Sequence, residues 1–174
     1  MNSYEINKYL YSHYINFNYV LFNTYVFGWE SDFLATSKTG YIHEVEIKIS
    51  KTDFKHDFNK THFNGKNKHE FLLDKNEIFK PNKFFFACPE GIIKPEQLPD
   101  EYGLFYLYKD DWQYFKLIKK AKFLHKTQLL EEKTILRKLM RKFYFRNIEL
   151  KHAMKIFEYD LKYNQRRLFD YDYY

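Results

Sequence analysis

Cysteine, glycine and proline are all scarce in this chain, with one Cys, five Gly and four Pro in 174 residues. A lone cysteine excludes an internal disulfide framework, and so little Gly and Pro excludes a fibrous or low-complexity architecture. No apolar run approaches the ~18 residues that a bilayer-crossing helix needs, and the mean hydropathy is −0.67. The start, Met1-Asn2-Ser3-Tyr4-Glu5, lacks the basic and apolar regions of a secretory signal. Together these absences predict a cytoplasmic protein with no membrane partner. There is also no Gly-rich phosphate loop, no Cys/His cluster at zinc spacing, no nucleophile elbow and no internal repeat, so the functions built on them drop out. What is abundant is aromatic: 17 Tyr and 19 Phe within a 45% hydrophobic composition. That is enough apolar material for a packed core in one domain, or one domain with a helical appendage, and the length leaves no room for two large lobes.

Charge is polarised along the chain. From Lys116 to Leu168 there are 16 Lys and Arg against 5 Asp and Glu, whereas the whole chain carries only +6, so the front is acidic and the back basic. A phosphate polymer could use both parts, the acidic one to gather a metal and the basic one to hold the backbone. A solvated amphipathic helix, or one that docks on RNA, a membrane surface or an acidic protein, gives the same distribution.

Hydrophobic periodicity predicts a helix from Tyr4 to about Tyr14 capped by Ser3, strands at Tyr19–Phe27 and Asp32–Thr36, a turn at Ser37–Gly40 and a strand at Tyr41–Ile49 that completes a hairpin. Ser50-Lys51-Thr52-Asp53 has the S-x-x-D form of a capping box, so a helix should start directly after that strand. The polar stretch from Lys60 to Asn82 reads as an insertion or loop with a short helix around His69–Leu73. Lys83–Cys88 and Gly103–Tyr108 read as buried strands, and Trp112–Ile118 follows them. Beyond Lys119 there is no Gly or Pro, and Leu129, Leu136, Leu139, Met140, Phe143, Met154, Phe157 and Leu161 recur at helical spacing, which predicts two closing basic helices. The domain expectation is a core over residues 1–120 with a basic helical extension, 121–174, packed on it.

The informative stretch is the hairpin. In a strand, alternate side chains share a face, so Tyr41, His43, Val45, Ile47 and Ile49 point one way and Ile42, Glu44, Glu46 and Lys48 the other. Asp32, on the partner strand, is brought toward Glu46 and Lys48. Two carboxylates and the backbone carbonyl of Ile47 could hold Mg²⁺ with waters and a phosphate oxygen completing an octahedron, with Lys48 facing the attacking water or the developing charge. A merely solvated polar face on the hairpin gives the same pattern.

An acidic residue in one strand followed after a turn by E-x-K in the next resembles the PD-(D/E)XK nuclease superfamily. The runs Trp29-Glu30-Ser31-Asp32, Glu44-Val45-Glu46-Ile47-Lys48-Ile49-Ser50 and Asp53-Phe54…Asp57 resemble its MmcB-type branch. So do Phe84-Phe85-Phe86-Ala87-Cys88-Pro89 and Pro99…Gly103-Leu104, and the likeness covers about residues 25–120. It implies a restriction-endonuclease-like α/β fold, a mixed β-sheet flanked by helices, and hydrolysis of DNA phosphodiester bonds with Mg²⁺ or Mn²⁺. It implies that Asp32 and Glu46, with Ile47, ligate the metal and that Lys48 positions the water, and it makes Glu5 a candidate helix carboxylate near the metal. Enzymes of this kind that cut both strands are often dimers, so a homodimer is the oligomeric state to test. A family member that keeps the fold without the chemistry, and serves as a nucleic-acid-binding or protein-interaction module, is the alternative reading.

Accessory candidates are Glu30 and Glu44, by parity with Asp32 and Glu46, Asp53 and Asp57 on the helix that follows, and Lys60 after it as a phosphate contact. Solvent exposure explains the first two equally well, helix capping explains Asp53, and a polar helix face explains Asp57. His43 reads as a packed core imidazole and Cys88 as a small hydrophobe. The expected DNA contacts are Lys126, Arg137, Lys138, Arg141, Lys142 and Arg146, placed on one basic helix, with a solvated face as the plain alternative.

Overall fold

The computed structural model describes residues 2–61, 65–109, 113–128 and 132–170. The chain divides between Glu131 and Glu132 into two compact units. The first holds α1 (Ser3–His13), β1 (Tyr19–Tyr25), β2 (Glu30–Thr36), β3 (Ile42–Ile47), α2 (Lys51–Asp57), α3 (Lys68–Leu73), β4 (Lys83–Pro89), β5 (Gly103–Lys109) and β6 (Gln113–Lys119). The second is α4 (Glu132–Asp170).

All six strands form one mixed sheet in sequence order. Strands β1, β2 and β3 make an antiparallel meander, β4 adds to β3 in parallel, β5 to β4 in parallel, and β6 closes antiparallel. The two parallel joins need crossovers, and α2 with α3 supplies the one between β3 and β4. The result is the expected α/β class, a mixed sheet flanked by helices. Gly103 begins β5 because a Cβ there would lie 2.2 Å from the Phe85 ring, which only glycine avoids.

Each sheet face buries a different set of residues. Phe33, Ala35, Val45, Ile47, Phe85, Ala87, Phe105 and Leu107 form one core cluster with Ile6 and Leu10 of α1 and Tyr14 at its C-cap. On the other face Phe54 of α2 meets Phe86 at 5.3 Å, and His69 of α3 lies 5.8 Å from Phe84. Burial of α1 along i, i+4, i+8 (Ile6, Leu10, Tyr14) is what its helical spacing dictates. His43 sits among Tyr14, Phe17 and Phe85 as a core imidazole, and burial, with Lys83 and His13 adding to it, lowers its pKa to about 4.

Several boundaries differ from the sequence expectations. The cap of α1 is Asn2 rather than Ser3: Asn2 and Glu5 form a reciprocal capping box. The stretch read as an insertion contributes Lys68, His69, Phe71 and Leu72, all buried, through α3. Residues 121–128 are not helical but are tied to the first unit, with Leu124 N–H donating to Asn82 O and Gln128 Nε2 donating to Thr39 O. The expected extension therefore begins eleven residues later than 121, and Lys126 lies outside it. Where two closing helices were expected there is one of 39 residues, in keeping with the lack of any Gly or Pro to interrupt it. Among the described residues no helix is long and apolar enough to cross a membrane.

Candidate active site

Antiparallel pairing of Phe33 with Val45 and Leu34 with Glu44 sets Asp32 opposite Glu46 as the next pair in register. Alternation then places Leu34, Glu44 and Glu46 on the face opposite α1. That face is not solvated: Glu44 and Glu46 have no exposed surface and Lys48 has 2%. Charges removed from water this completely need partners, and they have them.

Glu46 is the hub. Its Oε2 accepts from Lys48 Nζ at 3.3 Å and from Lys60 Nζ at 3.1 Å, and its Oε1 accepts from Lys68 Nζ in a short contact. Asp57, delivered by α2, accepts from Lys48 at 2.6 Å and from Lys60 at 2.7 Å through Oδ1. Its Oδ2 meets His69 Nε2 at 2.9 Å, and His69 Nδ1 meets the Tyr102 hydroxyl, also at 2.9 Å. Lys68 also reaches Glu44 Oε1 at 3.1 Å, and the Trp29 indole N–H donates to the same oxygen at 2.7 Å. Among the described residues Glu44 Oε2 is buried without a partner.

The electrostatics follow from this arrangement. Burial pushes the Glu44 carboxyl up, and Lys68 offsets it only in part. Burial acts the same way on Glu46, but Lys68, Lys48 and Lys60 together outweigh it and hold that carboxyl below its ordinary value. Asp57 is likewise held well below the carboxylate range, with the His69 hydrogen bond and the lysines overcoming burial. Burial works against the Lys60 and Lys68 ammonium groups, yet the surrounding carboxylates raise both. Asp32 goes the other way: burial and the adjacent charge of Glu46 raise it to about 6, against the Ile47 N–H and the charges of Lys48 and Lys60. Its Oδ2 accepts from that N–H at 2.8 Å, so the backbone group of Ile47 bonded to Asp32 is the donor, not the carbonyl.

The residues expected at a site thus separate into groups. Asp32, Glu46, Lys48, Asp57 and Lys60 converge on one spot, and Glu44 joins through Lys68. Asp53 donates its backbone N–H to the Ser50 cap hydroxyl at 3.1 Å, and its carboxylate stands 3.9 Å from Lys48 at the rim. Glu30 is exposed and accepts from the Tyr25 hydroxyl at 3.4 Å. Glu5 is used by the α1 cap, and α1 covers the opposite sheet face. Arg137, Lys138, Arg141 and Lys142 fall within about 140° of the α4 circumference, and Arg146 pairs with Glu149 at 3.2 Å. Lys68, His69, Tyr102 and Trp29 are members that sequence reasoning missed as site residues. The one local signal was Asn67, whose side chain caps α3 by accepting from His69 and Glu70 N–H. Among the described residues no group of three or more His, Cys, Asp and Glu is placed to hold a metal ion.

The fold and cluster define a mixed α/β protein with a buried lysine–carboxylate network on the sheet face opposite α1. The chain matches no protein-family model and no curated protein. It is similar in structure to SPO1766, a protein of unknown function from Silicibacter pomeroyi, with TM-score 0.52 and 21% identity over 83% of this chain and 84% of that one. At that identity the likeness concerns the fold alone.

Proposed function

We propose that this chain is a metal-dependent DNA endonuclease of PD-(D/E)XK type, hydrolysing phosphodiester bonds in DNA repair, recombination or mobile-element replication. The observation that carries the reading is the convergence of Asp32, Glu46 and Lys48 on one sheet face, beside the junction where an antiparallel meander meets a parallel strand. The donor set fits Mg²⁺ or Mn²⁺. Carboxylate oxygens are the hard ligands that these ions take, and the carboxyl of Asp32 is raised first by burial and then by the adjacent charge of Glu46, the second of which a divalent cation would relieve. Asp32 and Glu46 would hold the ion, and Lys60, 44% exposed, is the ammonium with room to leave Glu46. A bound divalent ion supplies Lewis-acid polarisation of a phosphoryl oxygen and a more acidic water.

The chain's own residues do the rest. Asp57 holds the Lys48 ammonium at 2.6 Å beside Glu46, where its charge would stabilise the charge developing on a phosphate bound at Asp32 and Glu46. His69 and Tyr102 hold Asp57 from behind, which keeps that placement without rearrangement during the reaction. The test is nicking of plasmid, single-stranded and branched DNA with Mg²⁺ or Mn²⁺. Glu46→Gln and Lys48→Met should each lower the rate by ~10²-fold or more while circular dichroism stays native. Wild-type protein inert on all three substrates with both metals would overturn the proposal.

A second reading has its own observation: Glu46 already holds three lysines, so its charge is compensated without a metal. In that case the protein is a nuclease-fold binding module whose Arg137, Lys138, Arg141, Lys142 and Arg146 contact DNA phosphates. Metal-independent, salt-weakened binding that is lost when those residues become Gln, in a protein that cleaves nothing, would favour it.

A further inference from the structure

The long helix carries a pattern that neither reading of the sheet uses. Counting by sevens along α4, Leu136, Phe143, Leu150 and Phe157 occupy one seam position, and Met140, Asn147 and Met154 the other. The alternating 4-3 spacing averages 3.5 residues, the repeat that keeps a stripe facing a partner helix in a left-handed supercoil. All six apolar members are exposed, from 42% at Leu136 to 73% at Phe143.

We propose that α4 pairs with α4 of a second copy of this chain, forming a coiled coil along the Leu136–Phe157 seam. Three features point to a copy rather than to lipid or nucleic acid. A 3.5-residue seam is what keeps a stripe facing another helix along its length, which neither a lipid surface nor a nucleic-acid groove requires. Side chains of this size expose on the order of 100–150 Å² each, so six offer roughly 600–900 Å² per copy, what one partner of a stable interface buries. Asn147 then has a role: a polar residue at one core position of a coiled coil fixes register and partner number at a cost in stability. Among the described residues its amide donates to Phe143 O of its own helix, at 3.0 Å.

The flanking positions sharpen the test. Arg137 and Lys151 on one flank and Arg146 on the other are cationic, so pairing should strengthen as salt screens them, whereas contact with DNA phosphates should weaken.

The experiment is sedimentation equilibrium of the full-length chain over a concentration series at low and high salt. A dimer that persists or tightens at high salt is expected. Phe143→Glu with Met154→Glu should give a monomer whose near-ultraviolet circular dichroism, dominated by the aromatic core of the first unit, is unchanged. Asn147→Leu provides the opposite arm, because filling the seam should tighten association roughly tenfold or more. A monomer at every concentration, a dimer indifferent to the double glutamate variant, or no gain from Asn147→Leu would each overturn the proposal.

Discussion

Replacing Lys68 by Met tests whether the buried network is held together as its geometry indicates. Lys68 is fully buried and bridges Glu44 and Glu46. The thioether chain fills much of the same volume, so the substitution removes charge more than packing. Glu46 would retain Lys48 and Lys60, but Glu44 would keep only the Trp29 indole N–H, with its second oxygen already unpartnered. Removing one member of a buried ion pair leaves an uncompensated charge and costs about 3–5 kcal/mol, against a total stability for a domain of this size of about 5–15 kcal/mol. Urea unfolding followed by far-ultraviolet circular dichroism measures the loss directly. A second substitution identifies its origin: Glu44→Gln in the Lys68→Met protein removes the stranded charge and should restore about 1–3 kcal/mol, although Glu44→Gln alone should destabilise the wild type. A Lys68→Met cost under about 1 kcal/mol, or a Glu44→Gln effect of the same sign and size in both backgrounds, would refute the account, because each would mean that the two groups do not depend on one another.

Two further outcomes follow from other parts of the structure. His43 is held neutral by burial, its pKa lowered from 6.5 to about 4. A depressed histidine favours the native state fully above 6.5, and that contribution is lost as pH falls through 4. The wild type should therefore lose about 3 kcal/mol more than His43→Phe between pH 7 and pH 4, read as the difference between two urea-denaturation series, and parallel series would rule this out. Lys60 is half-exposed, so Lys60→Ala should cost only about 1 kcal/mol or less in stability. It should also let Mn²⁺ bind more tightly by titration calorimetry, because Lys60 sits on the oxygens of Glu46 and Asp57. Unchanged or weaker Mn²⁺ binding in a folded variant would argue against displacement of Lys60 by the metal.

What could be read from the sequence and what could not divide along a physical line. Alternation is a property of neighbouring residues, so placing Asp32, Glu46 and Lys48 on one face needed only a strand, a turn and the two-residue period. Lys68 and His69 reach the same spot by another route. Their helix lies in the crossover between β3 and β4, 22 residues from Glu46 along the chain in the case of Lys68, and its position is set by packing of Phe71 and Leu72 that no local pattern encodes. Composition pointed the wrong way there, because Lys60–Asn82 is polar enough to read as solvent-facing loop. The error in α4 was of a different sort: nothing after Lys119 interrupts a helix, yet the extended segment 121–128 is held by Asn82, Thr39 and Glu101 through long-range bonds that override its helical composition.

The cluster also bears on why so many charges are buried together. Three carboxylates and three lysines, Glu44, Glu46 and Asp57 with Lys48, Lys60 and Lys68, compensate one another in number, and an apolar set of equal volume would stabilise the fold as well or better. Stability therefore does not explain them. What the charges provide and an apolar core cannot is a fixed ammonium at Lys48 next to an oxygen pair whose second member, Asp32, is poised between its charged and neutral forms near neutral pH. A group poised in that way is suited to proton transfer or to cation binding and poorly suited to a structural role. This contrast between Asp32 and the firmly ionised Glu46 beside it is the physical reason to look for chemistry at this end of the sheet.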